Sequence, residues 1–341
     1  MDVSGEDVAR EAGVSPATVS LVLNGRTNVS LSPATRERVT AVAQRLGYRP
    51  NQVARNLLRG RTQTIGVILP TLASSFVAQI AEGIQAAAGD HQHQVLLAHT
   101  RHDREFEARQ LELLLQHRVD GILLVAGEAT LPQLPEHLDT LARRPVPIVV
   151  VDDRTHRDRV DCVVSDDRTG AAAAVTHLIS AGHRRIGFLG AGEGSSSARD
   201  RLAGYRTALR QAGIAFDPTL VAGRSYLDDE SAKAAATLLD RRNRPTALFA
   251  ANDRRLAEAL PVLDRLGLRV PEDLALVGYA NYDFSAYLGL TSVEQGPGQL
   301  GRVALQRLLQ RIEDSSLKPL QILEPVHLVI RRSCGTGRRS P

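Results

Sequence analysis

One stretch near the start constrains this chain more than any other: Gly13-Val14-Ser15-Pro16-Ala17-Thr18-Val19-Ser20-Leu21-Val22-Leu23-Asn24-Gly25. Ser15 is a good helix cap, because its hydroxyl accepts from an amide of the first turn that has no partner within the helix. Pro16 suits the first helical position, where its missing N–H costs nothing and its fixed φ already matches a helix. Val19, Val22 and Leu23 recur at i, i+3 and i+4 and give one apolar stripe. The opposite face, Ala17, Thr18, Ser20 and Asn24, is small and uncharged, and Gly25 ends the helix. Upstream, Ser4 stands three residues before Asp7 at the start of a second short helix, with Val8, Ala9 and Ala12 as its apolar edge and Gly13 as the turn. Two short helices joined by a glycine turn predict a helix-turn-helix, whose second helix enters the DNA major groove; an ordinary αα-hairpin is the alternative.

The following segment repeats the device. Ser32-Pro33 caps a third helix, Val39, Val42, Ala43 and Leu46 form its buried stripe, and Gly47 stops it. Together, Asp7-Val8-Ala9, Gly13-Val14-Ser15, Thr18-Val19-Ser20, Asn24, Thr35-Arg36 and Leu46-Gly47-Tyr48-Arg49-Pro50-Asn51 strongly resemble the headpiece of the lactose/galactose repressor (LacI/GalR) family. The likeness continues over nearly the whole chain. It implies a DNA-binding transcriptional regulator, a repressor that binds a palindromic operator as a homodimer and is controlled by a small-molecule effector, a sugar or another metabolite. Ser15, Pro16, Ala17, Thr18, Ser20, Leu21, Asn24, Ser32, Thr35, Tyr48 and Asn51 are its expected DNA residues, with Pro16, Ala17 and Leu21 toward bases. A short hinge helix should follow, in which Arg55, Arg59 and Arg61 lie near phosphates and Leu57, beside Leu58, wedges into the minor groove.

Charge agrees with that division. Residues 1–61 hold nine Arg against five acids, a net of +4, and the whole chain is also +4, so the remainder balances. All of the excess therefore sits in the segment expected to meet phosphates. At 341 residues the chain has room for two or three domains. It holds no apolar run of 18 residues and no basic start followed by a hydrophobic core, so neither a membrane span nor a signal peptide is expected, and a cytoplasmic protein is. Cys162 and Cys334 are far apart and indicate no disulfide framework.

After the headpiece the pattern alternates. Apolar runs at 64–70, 95–98, 121–125 and 146–151 read as buried parallel strands separated by helices, and a second set follows at 162–164, 185–190, 247–250 and 274–278. Two successive βα sets predict two doubly wound lobes with ligands at the carboxyl ends of strands. The expected fold is thus an all-α helix-turn-helix headpiece plus an α/β two-lobed periplasmic-binding-protein-like core. The domains are 1–48 for the headpiece, 49–62 for the hinge helix and linker, and 63–341 for the core. Within the core, the N-lobe takes about 63–163 and 291–320, and the C-lobe about 164–290 and 321–335.

Strand ends supply the polar groups that a cleft needs. Asp152, Arg201 and Asn252 fall there, and the resemblance places them, with Phe76, Tyr226, Ala280 and Gln295, in the effector pocket. Five features depart from the family pattern, one of them two extra residues in the turn Arg26 to Leu31. Ala280 replaces an effector-binding aspartate, which argues against a simple sugar held as in the lactose repressor. Leu21 stands where many members carry arginine and cannot make a two-point guanine contact. Gly5 replaces an apolar residue, which would loosen the first helix, and Arg254-Arg255 replaces apolar residues. No cofactor, metal or catalytic group is expected. Gly190-Ala191-Gly192-Glu193-Gly194 has the wrong spacing for a dinucleotide loop. His91, His93, His99 and His102 lack metal-ligand spacing, and the pairs Asp152-Asp153 and Asp166-Asp167 read as solvated loop charges. An exported solute receptor and a cleft enzyme are the competing classes. The first needs a signal peptide, and the second needs a catalytic constellation that the sequence does not supply.

Overall fold

A computed structural model describes residues 3–23, 31–48, 61–126, 139, 146–154, 157–190, 195–223 and 230–335. The chain forms two compact units, Met1–Thr62 and Gln63–Pro341. In the first, α1 (Gly5–Ala12), α2 (Pro16–Leu23) and α3 (Pro33–Arg45) enclose Val8, Ala9, Ala12, Val19, Val39, Val42 and Ala43. The expected caps are in place. Ser4 Oγ accepts from the Asp7 amide while the Asp7 carboxylate accepts from the Ser4 amide, and Ser15 and Ser32 accept from Thr18 and Thr35, each at 3.2 Å. Gly13 turns the chain from α1 to α2 at φ +64°, a conformation that costs a side-chain-bearing residue. Gly5 sits where glycine costs a helix least. It is the first helical residue, outside the interior where glycine is unfavourable, and a Cβ there would lie 3.1 Å from the Tyr48 hydroxyl that packs over it.

Among the described residues the second unit holds two six-stranded sheets. The first is built from β1 (Thr64–Leu69), β2 (Gln94–His99), β3 (Gly121–Val125), β4 (Ile148–Val151), β5 (Asp161–Ser165) and β11 (Gln321–Glu324), in the order β11-β5-β4-β3-β1-β2, all parallel. Its inner strands β1, β3, β4 and β5 are buried, mostly apolar runs because helices cover both faces, whereas the edge strands β2 and β11 are half exposed. On one side, α4 (Ser75–Asp90) and α11 (Pro297–Glu313) bury Ile80, Ile84, Leu300, Leu305 and Leu308; on the other, α5 (Arg104–Gln116) buries Leu111, Leu114 and Leu115. Helices α4 and α11 cross backbone to backbone. A Cβ added at Gly83 would stand 2.0 Å from the Gly298 carbonyl oxygen, and one at Gly301 would stand 2.2 Å from that of Ile80.

The second sheet contains β6 (Ile186–Leu189), β7 (Val221–Ala222), β8 (Ala247–Ala250), β9 (Ala275–Tyr279), β10 (Thr291–Glu294) and β12 (His327–Val329), in the order β12-β10-β9-β8-β6-β7. Only β12 runs antiparallel, against β10. Helices α6 (Asp167–Ser180) and α7 (Ser196–Gln211) cover one face; α8 (Glu230–Leu239) and α9 (Asp253–Arg265) cover the other, and the short α10 (Asp283–Leu288) follows β9. Cys162 and Cys334 are both buried free thiols, one against each sheet.

Among the described residues the chain passes between lobes three times, at 165–167, 294–297 and 324–327. Two lobe boundaries therefore move from the expected positions. Residues 291–294 pair with β9 in the second sheet instead of opening the N-lobe return, and residues 321–324 pair with β5 in the first sheet instead of the C-lobe. Each strand runs to its carboxyl end before the chain crosses, so the crossings gather on the edge of the cleft.

Candidate functional site

Two surfaces carry the residues singled out from sequence. On the headpiece, Ser15, Pro16, Ala17, Ser20 and Ser32 are exposed, while Thr18, Leu21, Thr35 and Tyr48 are half-buried. The Ser15 and Thr18 hydroxyls pair at 2.9 Å, and those of Ser32 and Thr35 at 2.8 Å, so each helix start presents a linked hydroxyl couple. Beside them the small side chains of Pro16 and Ala17 leave the start of α2 open to close approach. Tyr48 instead packs its ring against the three-helix core. Asn24, Asn51, Arg55, Leu57, Leu58 and the hinge helix expected over 49–62 lie outside the described residues, apart from 61–62.

The second surface is a cavity of about 750 Å³ between the two lobes. Of the seven residues expected there, six line it: Phe76, Asp152, Arg201, Asn252, Ala280 and Gln295. Tyr226, like residues 191–194 of the glycine-rich loop, is outside the described residues. The fold explains the convergence, because four of the six follow a strand's carboxyl end, and Phe76 and Arg201 lie in the first two turns of helices. Asp152 turns off β4 at φ +66°, Asn252 follows β8, Ala280 follows β9 at φ +84°, and Gln295 follows β10.

The polar end of the cavity is tightly bonded. Arg201 is 5% exposed and bonds Asp167 Oδ1 through Nε at 3.1 Å and Nη2 at 3.0 Å. Its Nη1 donates to the Ala251 carbonyl at 2.6 Å, and the guanidinium lies 4.1 Å over the Tyr279 ring. Gln295 Nε2 donates to Ser165 Oγ at 3.1 Å and to Asp167 Oδ1 at 3.4 Å, tying two crossings together. Burial pushes the Asp152 carboxyl up to about 8, with the Asp167 charge adding and Arg201 opposing. Among the described residues Asp152 Oδ1 has no hydrogen-bond partner, so it is equipped to meet a polar atom in the cavity. Asn252 both caps and lines: its Oδ1 accepts from the Arg255 amide at 3.0 Å at the start of α9, leaving its NH2 as donor.

The description "Bacterial regulatory proteins, lacI family" matches residues 6–51, and "Periplasmic binding protein-like domain" matches residues 175–334. Catabolite control protein A of Priestia megaterium is 33% identical over 336 residues, 98% of this chain and 99% of that protein. The chain belongs to the lacI family of bacterial regulatory proteins. The HTH-type transcriptional repressor CytR of Escherichia coli strain K12 is 33% identical, covering 96% of this chain and 95% of that one. Among solved structures, the lac repressor dimer bound to operator and the anti-inducer ONPF is 29% identical with a TM-score of 0.84, covering 98% of this chain and 99% of its own. The complex of the transcriptional regulator CelR with cellobiose is 34% identical with a TM-score of 0.73, covering 97% and 99%.

Within this lacI-family core, one sequence expectation is corrected. The neighbouring acids are not solvated loop charges: Asp153 is 1% exposed and Asp167 3%, and Asp166 caps α6 by accepting from the Thr169 amide. They stand at strand ends where the lobes meet; the Ser196 amide partners Asp153 and Arg201 partners Asp167, while Asp152 Oδ1 faces the cavity. Arg254 is exposed at the cavity mouth, paired with Glu258 at 2.7 Å, whereas Arg255 is buried behind it. Sequence reasoning missed the aromatic wall of Tyr282 and Phe284, stacked at 5.5 Å, and the hydroxyls of Ser195 and Ser197. The left-handed pair Ala280-Asn281 turns the chain there, and buried Asp253 fixes the turn by accepting from the Tyr282 amide, Ser285 Oγ and Ser292 Oγ. Burial raises the Asp253 carboxyl to about 6 against the pull of those donors. The visible signal was the run Tyr282-Asp283-Phe284 directly after a strand end.

Proposed function

We propose that this chain is a cytoplasmic transcriptional repressor that binds a palindromic operator as a homodimer and releases or grips it according to a small molecule in the interlobe cleft. The observation that carries the reading is the convergence of Phe76, Asp152, Arg201, Asn252, Ala280 and Gln295 on one cavity in a chain that begins with a helix-turn-helix. The headpiece would take 1–48 and the hinge 49–62. Two headpieces would occupy half-sites about one helical turn apart, with Ser15, Thr18, Ser20, Asn24, Ser32, Thr35, Tyr48 and Asn51 on the backbone. Pro16, Ala17 and Leu21 would face bases by van der Waals fit, with Leu57, beside Leu58, at the central minor groove and Arg55 near phosphates. The lac repressor dimer's operator complex supports this assembly.

For the cleft, a polar end beside the wall of Phe76, Tyr282 and Phe284 suits a small metabolite with hydroxyls on its edge and an apolar ring face, and CelR's complex with cellobiose is in keeping with it. Ala280 offers no carboxylate, so Asp152 and Asp283 are the lining acids left for its hydroxyls. Effector and operator then influence each other by one coupling free energy, the same in both directions.

The experiment is a thermal-shift screen of the full chain against mono- and disaccharides and nucleosides, followed by operator binding with each hit. A hit that stabilises the wild type, loses its effect in Asn252→Ala and changes operator affinity supports the reading. Catalytic turnover of a hit, or a hit without effect on DNA, overturns it.

A further inference from the structure

The lobes are joined at a second place besides the three crossings. Asp153 and Arg154 follow β4 of the first lobe, and Ser196 and Asp200 lie in the first turns of α7 in the second. Asp153 Oδ2 accepts from the Ser196 amide at 2.8 Å, and the Arg154 amide donates to Ser196 Oγ at 3.1 Å. The Arg154 side chain forks onto one carboxylate, Nε to Asp200 Oδ2 at 2.9 Å and Nη2 to Oδ1 at 2.6 Å. The two side chains are 28% and 16% exposed, so the pair is screened less than a surface ion pair, and two-point geometry is the strong form of this interaction.

Position gives these bonds a function. Asp152 lines the cavity and immediately precedes Asp153; Ser195, Ser197 and Arg201 line it and flank Ser196 and Asp200. A rotation that separates the two walls of the cavity also draws Arg154 away from Asp200. We propose that Arg154–Asp200, with Asp153–Ser196, is an interlobe clasp that holds the cleft closed in the absence of ligand and so sets the closed fraction that an effector meets. As regulation of the cleft, this rests on the reading of that cleft as the effector site. When only a fraction of the molecules is closed, apparent affinity falls by that fraction, so a weakened clasp weakens binding without touching a ligand contact.

The test is hydrogen–deuterium exchange on the full, ligand-free chain: wild type, Arg154→Gln, Asp200→Asn and the double variant. Each single variant is expected to exchange on the order of tenfold faster at 150–154 and 195–201, with β1 and β8 unchanged. The double variant should be no faster than the faster single, because the pair acts as a unit. Unchanged exchange at 195–201, acceleration spread through both sheets, or additive singles would each overturn the clasp. No effector enters this measurement, so a metabolite screen that finds nothing would defeat the effector reading and leave the exchange result legible on its own.

Discussion

Arg201→Met removes the cation from a buried pair and leaves its partner behind. Asp167, 3% exposed, loses two guanidinium bonds at 3.0 and 3.1 Å and keeps the Gln295 amide at 3.4 Å, while the Ala251 carbonyl loses a donor at 2.6 Å. Stranding one member of such a pair costs about 3–5 kcal/mol, because the remaining charge stays out of water. Replacing both, Asp167→Asn with Arg201→Met, removes the stranded charge and should return about 2 kcal/mol of the loss. In far-UV circular dichroism melts the single variant should fall on the order of 10 °C, and the double variant by clearly less. The sign of the pH effect follows from linkage. In Arg201→Met the folded chain binds a proton at Asp167 more tightly than the unfolded chain does, so the deficit should be full only above the raised folded pKa, shrink as pH falls through it, and be least below the ordinary carboxylate range. A single variant within two degrees or so of wild type, or a double variant worse than the single, would refute the view that charge stranding dominates at this site.

Other consequences are equally direct. Gly83→Ala forces a Cβ to within 2.0 Å of the Gly298 carbonyl oxygen and should lower stability by about 1–3 kcal/mol or more. Gly89→Ala, on the same helix with nothing within 4 Å, should raise it by about 0.5–1 kcal/mol in the same melts. The folded Asp152 carboxyl is raised from 3.8 to about 8, so the native chain holds the extra proton between those values and loses stability as pH rises through them. Asp152→Asn should flatten that slope in melts taken from pH 5 to 9, and an unchanged slope would place the titration elsewhere. Ser4→Ala removes half of the capping box and should cost the headpiece about 1 kcal/mol, measured by its melting transition.

The headpiece was legible because its caps are local. Ser4, Ser15 and Ser32 act on amides three residues away, and Gly13 turns the chain where it stands, so spacing alone predicts them. The cleft was legible in part. Asp152, Asn252 and Ala280 directly follow apolar runs, and strand ends are where an α/β sheet binds ligands. Arg154 and Asp200 were not, because their pairing depends on how two lobes meet across 46 residues of sequence. The lobe boundaries at 291 and 321 slipped for the same reason: a short strand's sequence shows that it is buried, and its pairing partner decides in which sheet. The buried acids were misread because a loop aspartate is usually solvated, and only the folded chain brings Arg201 onto Asp167.

The central claim is that this lacI-family chain reads one DNA sequence as a dimer. Its most direct test is selection of genomic fragments by the purified, ligand-free protein at near-physiological salt. Recovery of a shared palindrome with half-sites about one helical turn apart is the predicted result. Recovery of only unrelated fragments, whose binding disappears as salt is raised, would contradict it.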